Sequence, residues 1–99
     1  MLTNELLNRT KEKIGTNKEV DLARKLGIAQ TRLSNYRSGL RKPDEEACFL
    51  IAEIIEEEPA AVIATVNIEA AKEPKKAEFW REKAKKYAAS AGIISALLA

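Results

Sequence analysis

Within six residues, Gln30, Thr31, Arg32 and Asn35 bring together an amide, a hydroxyl with its methyl, a guanidinium and a second amide. These groups can read base edges: Gln and Asn pair bidentately with adenine, Arg with guanine, and a Thr methyl touches thymine. Asn35 follows Thr31 by four positions, so a helix would set it on a similar face. Plain solvent exposure is the competing reading, and it weighs most on Asn35. Ser34 can lie near the same surface, although a small polar residue also suits a crowded helix face. Groups suited to phosphate flank the set. Asn17 and Lys18 stand where a preceding helix would begin, with free backbone N–H groups and the positive end of the helix dipole. Arg41 and Lys42 follow it, contributing charge without base selectivity. Arg37 suits either a phosphate or an internal carboxylate.

Other chemistries lack their residues. There is no histidine, so Ser-His-Asp triads, imidazole acid–base catalysis and His-ligated metals are excluded. The one cysteine, Cys48, can form neither an internal disulfide nor a ligand pair, and it reads as a small buried thiol. No Gly-rich phosphate loop or convergent catalytic set is present, so neither enzyme activity nor a cofactor is expected. The opening Met1 to Glu5 lacks the basic-then-apolar order of a secretory signal, which points to the cytoplasm.

Charge is segregated along the chain. From Met1 to Pro43 ten Lys/Arg face four Asp/Glu, a net of +6; from Asp44 to Glu73 one faces nine, a net of −8; from Pro74 to Ala99 six face two, a net of +4. A basic N-terminal segment suits a polyanion, and the acidic middle would stay away from it. A solvated charged surface accounts for the same pattern almost as well.

The elements that must hold these groups are helices. Ninety-nine residues, 45% apolar and 32% charged, make one modest core, and four Gly, three Pro and five aromatics favour an all-α chain. Thr3 can cap a first helix whose apolar Leu6, Leu7 and Ile14 run to Gly15. Asn17 can cap a short second helix carrying Val20, Leu22, Ala23 and Leu26, closed by Gly27. A third, Gln30 to Ser38, has Leu33 and Tyr36 as its narrow apolar edge and stops at Gly39. Asp44 can cap a fourth, with Cys48, Ile51, Ala52 and Ile55 at i, i+3, i+4, i+7. Phe49, Leu50 and Ile54 flank that stripe, which implies a second packing partner. Pro59 opens a fifth helix through Val62, Ile63, Val66 and Ile68 to about Lys72, and Pro74 a sixth through Phe79, Trp80, Ala84 and Tyr87.

Helices two and three, linked by Gly27-Ile28-Ala29 alone, are joined too closely to lie side by side and form a helix-turn-helix. Ala23 is small where the two must cross, Gly27 permits a positive φ, and Leu22, Leu26, Ile28, Leu33 and Tyr36 seal the pair. The stretch Asn17 to Ile55, with LARKLGIAQTRLSNYRSGLRKP at its centre, resembles the Cro-like (XRE) phage-repressor helix-turn-helix family over roughly residues 1–56. The resemblance implies a compact bundle of about five helices that binds operator DNA, usually as a two-fold dimer on a palindromic site, and controls transcription. It also implies that Asn17 and Lys18 clamp the DNA backbone. Where the family usually ends soon after a short fifth helix, this chain continues, so the resemblance does not cover Pro74 to Ala99.

The expectations are therefore a bundle of five to six helices, with residues 1–73 as the DNA-binding domain and 74–99 as a packing or self-association segment. A single helix-turn-helix meets few base pairs, and two recognition helices about 34 Å apart would gain affinity. Phe49, Leu50, Ile54, Val62, Ile63 and Val66, with Phe79 and Trp80, are the candidate homodimer surface; cover within one subunit by helix six is the equal alternative. The charge-free run Ala88 to Ala99 is too short to span a bilayer. Unless it belongs to a longer apolar segment, it reads as a terminal helix or tail for self-association and not as a membrane contact. A different class stays open: an antitoxin-like or protein-interaction module on the same fold, for which an apolar third helix would have been the signature.

Overall fold

A computed structural model describes residues 1–99 as seven helices with no strand. They are α1 (Leu2–Ile14), α2 (Glu19–Leu26), α3 (Gln30–Ser38), α4 (Glu45–Ile55), α5 (Pro59–Ala70), α6 (Pro74–Tyr87) and α7 (Ile93–Leu97). Local chemistry sets most of the ends. Gly27 takes φ 67°, its N–H donates to Arg24 O and the Ile28 N–H to Ala23 O, so the chain turns sharply from α2 into α3. Asp44 Oδ1 accepts the Ala47 N–H at 3.0 Å and caps α4. Pro59 and Pro74 open α5 and α6, where a missing N–H costs nothing.

Two ends differ from expectation. Thr3 lies inside α1, buried, and its N–H donates to Glu69 Oε1 at 2.7 Å; a carboxylate of α5 supplies the cap, so the Thr3 side chain is not needed for it. At the start of α2, Lys18 and not Asn17 occupies the cap position, and its N–H is held by Thr16 Oγ1, which in turn donates to Asp21 Oδ2.

All seven helices feed one apolar cluster, from Leu6 and Leu7 of α1 through Leu22, Leu33, Tyr36 and Ile51 to Ile94 of α7. Each such side chain contributes on the order of 1.5–3 kcal/mol by leaving water. Helix α5 is central: α1, α4, α6 and α7 all pack on it, which is why it is apolar nearly all round. Its Thr65 Oγ1 donates to Ala61 O at 2.7 Å, satisfying a hydroxyl that is fully enclosed. Val62 and Val66 are buried in this core, which corrects their assignment to a dimer surface: α4 and α6 of the same chain already surround α5. No helix is long and apolar enough to cross a membrane.

The C-terminal run also folds inward instead of remaining free as a self-association tail. Ile94 and Leu98 join the core, and Glu57, only 8% exposed, accepts the Ala89 N–H at 2.8 Å and the Ile94 N–H at 3.1 Å. At Gly92 a Cβ would collide with the Glu57 carboxylate, which its two N–H donors hold in place, so this close approach favours glycine. The radius of gyration, 12.6 Å, is what roughly 100 residues give as one body.

Candidate nucleic-acid interface

Leu33 and Tyr36 anchor α3 in the core, and the helical period then decides what faces away. Thr31, Ser34 and Ser38 are exposed at three- and four-residue spacing, with Asn35 half-buried beside them and Gln30 exposed in the first turn. The side-chain hydrogen bonds of α3 belong to Arg32, Tyr36, Arg37 and Ser38, leaving Gln30, Thr31, Ser34 and Asn35 unengaged. Their backbone adds to this, since Ala29 at the cap position offers no side-chain acceptor to the first amides of α3. Ser34 lies nearer the middle of the outward face than Gln30 does, and Ser38 extends that face. Counting from Thr31 in steps of three and four leads to Ser34, Asn35 and then Ser38, so the period that placed Asn35 also reaches Ser38.

Arg32 stands on the flank, not at the centre. Its NH1 donates to Asp44 Oδ2 at 3.1 Å, with the arginine side chain 39% exposed, so one carboxylate holds Arg32, receives the Tyr36 hydroxyl and caps α4. Four of the five guanidinium donors remain available to a ligand. Burial pushes the Tyr36 phenol above its usual range, so it stays a donor.

Of the two roles open to Arg37, phosphate or internal carboxylate, the fold supplies the carboxylate. The Arg37 Nε and NH2 donate to the two oxygens of Glu19 at 2.9 and 3.0 Å, and NH1 reaches Asn8 Oδ1 at 2.7 Å and both oxygens of Asn4. The fork of a guanidinium fits a carboxylate, and here it ties α3 to the start of α2 and to α1. The Arg37 hydrogen bond, helped by Lys11, outweighs the cost of burial and holds the Glu19 carboxyl at about 2. An ionised but paired Glu19 therefore sits next to Asn17 and Lys18, both exposed. Arg41 and Lys42 are exposed on the loop after α3, where Lys42 Nζ donates to Asn67 Oδ1 of α5.

Elsewhere, Cys48 is buried with Sγ 3.7 Å from Pro43 O, and burial pushes its thiol up to about 12, so it is no nucleophile at neutral pH. Among the candidate contact residues for a second copy, Leu50, Ile54, Ile63 and Trp80 are half-buried against the core. Phe49 stays 51% exposed beside Glu45, Glu46 and Leu50, and Phe79, also exposed, packs edge-on to Trp80 with centroids 5.0 Å apart.

Comparison with protein families matches residues 10–61, more than half of the chain, to the family described as Helix-turn-helix. No curated protein and no solved structure matches the chain.

Proposed function

The chain belongs to the Cro/XRE-type helix-turn-helix family of DNA-binding regulators, and on that premise we propose that it is a sequence-specific transcriptional regulator of phage-repressor type. In this reading α3 enters the major groove and Thr31, Ser34 and Asn35, with Gln30 and Arg32, read base edges. Asn17, Lys18, Arg41 and Lys42 hold the phosphates on either side. The observation that carries it is the outward face of α3: the hydroxyls and amides of Gln30, Thr31, Ser34 and Asn35, without intramolecular partners, on a helix with no acidic residue. The setting is the cytoplasm, and the working form is a homodimer on a palindromic operator, with Phe49 and Leu50 as its exposed and half-exposed apolar contacts.

Affinity for selected and random duplexes at two salt concentrations tests this. A specific site should bind at least a thousandfold more tightly than random sequence, and both should weaken steeply as salt rises. Arg32→Ala or Gln30→Ala should relax preference at particular base pairs by about 1–3 kcal/mol, whereas Lys42→Ala should weaken all sequences alike. No binding at low salt would favour the protein-interaction module, for which the exposed Phe49 among carboxylates is the natural contact. Sedimentation of the intact chain beside Phe49→Glu tests the dimer, and a monomer at micromolar concentration for the unaltered chain would overturn it.

A further inference from the structure

Resting on the DNA-binding reading above, we propose that α6 makes a second, sequence-independent DNA contact, laying one flank against the phosphate backbone beyond the base pairs that α3 reads. Lys76, Phe79, Lys83 and Lys86 recur at i, i+3, i+7 and i+10, so they share one side of the helix. The buried side is different: Ala84 is fully enclosed, with Ala77 and Trp80 half-buried along the same edge. Glu78 falls on the far flank with Arg81 and Lys85, and Glu82 lies between the two sides, one turn before Lys86, so the strip through Lys76, Phe79 and Lys83 carries basic and aromatic residues alone.

The position of this flank follows from its neighbours. One groove is lined by Lys42, Asn67, Lys72, Lys76 and Trp80 together with one carboxylate, Glu73. The basic flank is thus continuous with the loop that follows α3, through the lysine already assigned to the backbone. Its charges are also unneutralised. The ion pairs of the chain engage Arg9, Lys11, Lys13, Arg24, Arg32 and Arg37, and no cation of α6. Instead Lys83 Nζ lies 5.2 Å from the centre of the Phe79 ring and Lys86 Nζ 5.4 Å from that of Tyr87, which steadies long side chains without removing their charge. From Lys76 to Lys86 the helix rises about 15 Å, enough to follow a strand for several phosphates at about 3.4 Å of axial rise each.

The test uses the full chain and a random-sequence duplex of about 30 base pairs, because a backbone contact needs no operator. Lys76→Gln/Lys83→Gln is compared with Arg81→Gln/Lys85→Gln, which removes the same charge from the opposite flank, and circular dichroism checks that both fold. The first pair should lower the slope of log affinity against log salt by about 2, at roughly 0.9 per lost contact, and the second by less than about 0.5. Lys76→Arg/Lys83→Arg should keep the original slope. Equal losses from both flanks would overturn the proposal in favour of bulk charge. An unchanged slope in the first variant, with normal binding by the unaltered chain, would overturn it while leaving α3 as the reading helix. If that variant instead lost self-association, the flank would be a protein interface. No binding by the unaltered chain would overturn both readings together.

Discussion

The two halves of this chain fix their helices by opposite means. From α1 to α4 each helix ends on a residue in the left-handed conformation, Gly15, Gly27, Gly39 and Glu56, so the ends are set by the turn itself. From α5 to α7 no helix ends that way, and a carboxylate reaches across the fold: Glu57 holds the approach to α7, while Glu69 of α5 caps α1. The acidic middle segment is thereby turned partly inward, with Glu56 also paired to Lys13 and Asp44 to Arg32. What remains outward differs too: α3 presents hydroxyls and amides suited to discrimination, and α6 presents lysines and rings suited to grip.

The strongest way to break this contrast is to remove a long-range tie. Glu57→Ala leaves the enclosed Ile94 N–H and the Ala89 N–H without their acceptor, and unfolding should become easier by about 2–3 kcal/mol in urea titration. Loss of amide protection should concentrate in α7 and spare α3; a uniform loss would mean that the two halves do not differ in this respect.

Arg37→Ala tests the polar tie of the first half and should cost about 1–2 kcal/mol. Glu19 is held at about 2, below its ordinary 4.5. Its bridge therefore stabilises the fold fully above the ordinary value and loses that contribution as pH falls from about 4.5 towards 2. With the Glu19 side chain 43% exposed, solvent screening leaves about 1 kcal/mol of this pH-dependent part. Urea midpoints between pH 6 and pH 2.5 should fall less steeply in Arg37→Ala than in the parent.

The smallest effect sharpens the contrast. Glu56 is the one residue other than glycine with positive φ, at 61°, and Glu56→Gly should raise stability by about 0.5 kcal/mol if relief of strain exceeds the lost pairing with the exposed Lys13. A lower melting temperature would show that the ion pair matters more than the turn.

What the sequence disclosed is what neighbouring residues decide among themselves. The bounds Gln30 to Ser38, the Asp44 cap and the Pro59 and Pro74 starts depend on a few adjacent positions, and the apolar edge of Leu33 and Tyr36 followed from the helical period. Thr3 misled because its cap comes from Glu69, 66 positions away. Arg37 was ambiguous for the same reason, its carboxylate lying in another helix. Val62 and Val66 looked surplus until α6 was seen along α5, and the charge-free tail looked unattached until α1, α5 and α6 offered Ile94 a place.

The buried Cys48 gives the molecule a clock of its own. With its thiol pushed up to about 12 by burial, the sulfur stays protonated at pH 7 while the fold is closed. Covalent modification of this lone sulfur then depends on α4 parting from Pro43, and where reclosing outpaces reaction its rate follows the population of that open form. Because Pro43 directly follows Arg41 and Lys42, anything that grips that loop should make the clock run slow.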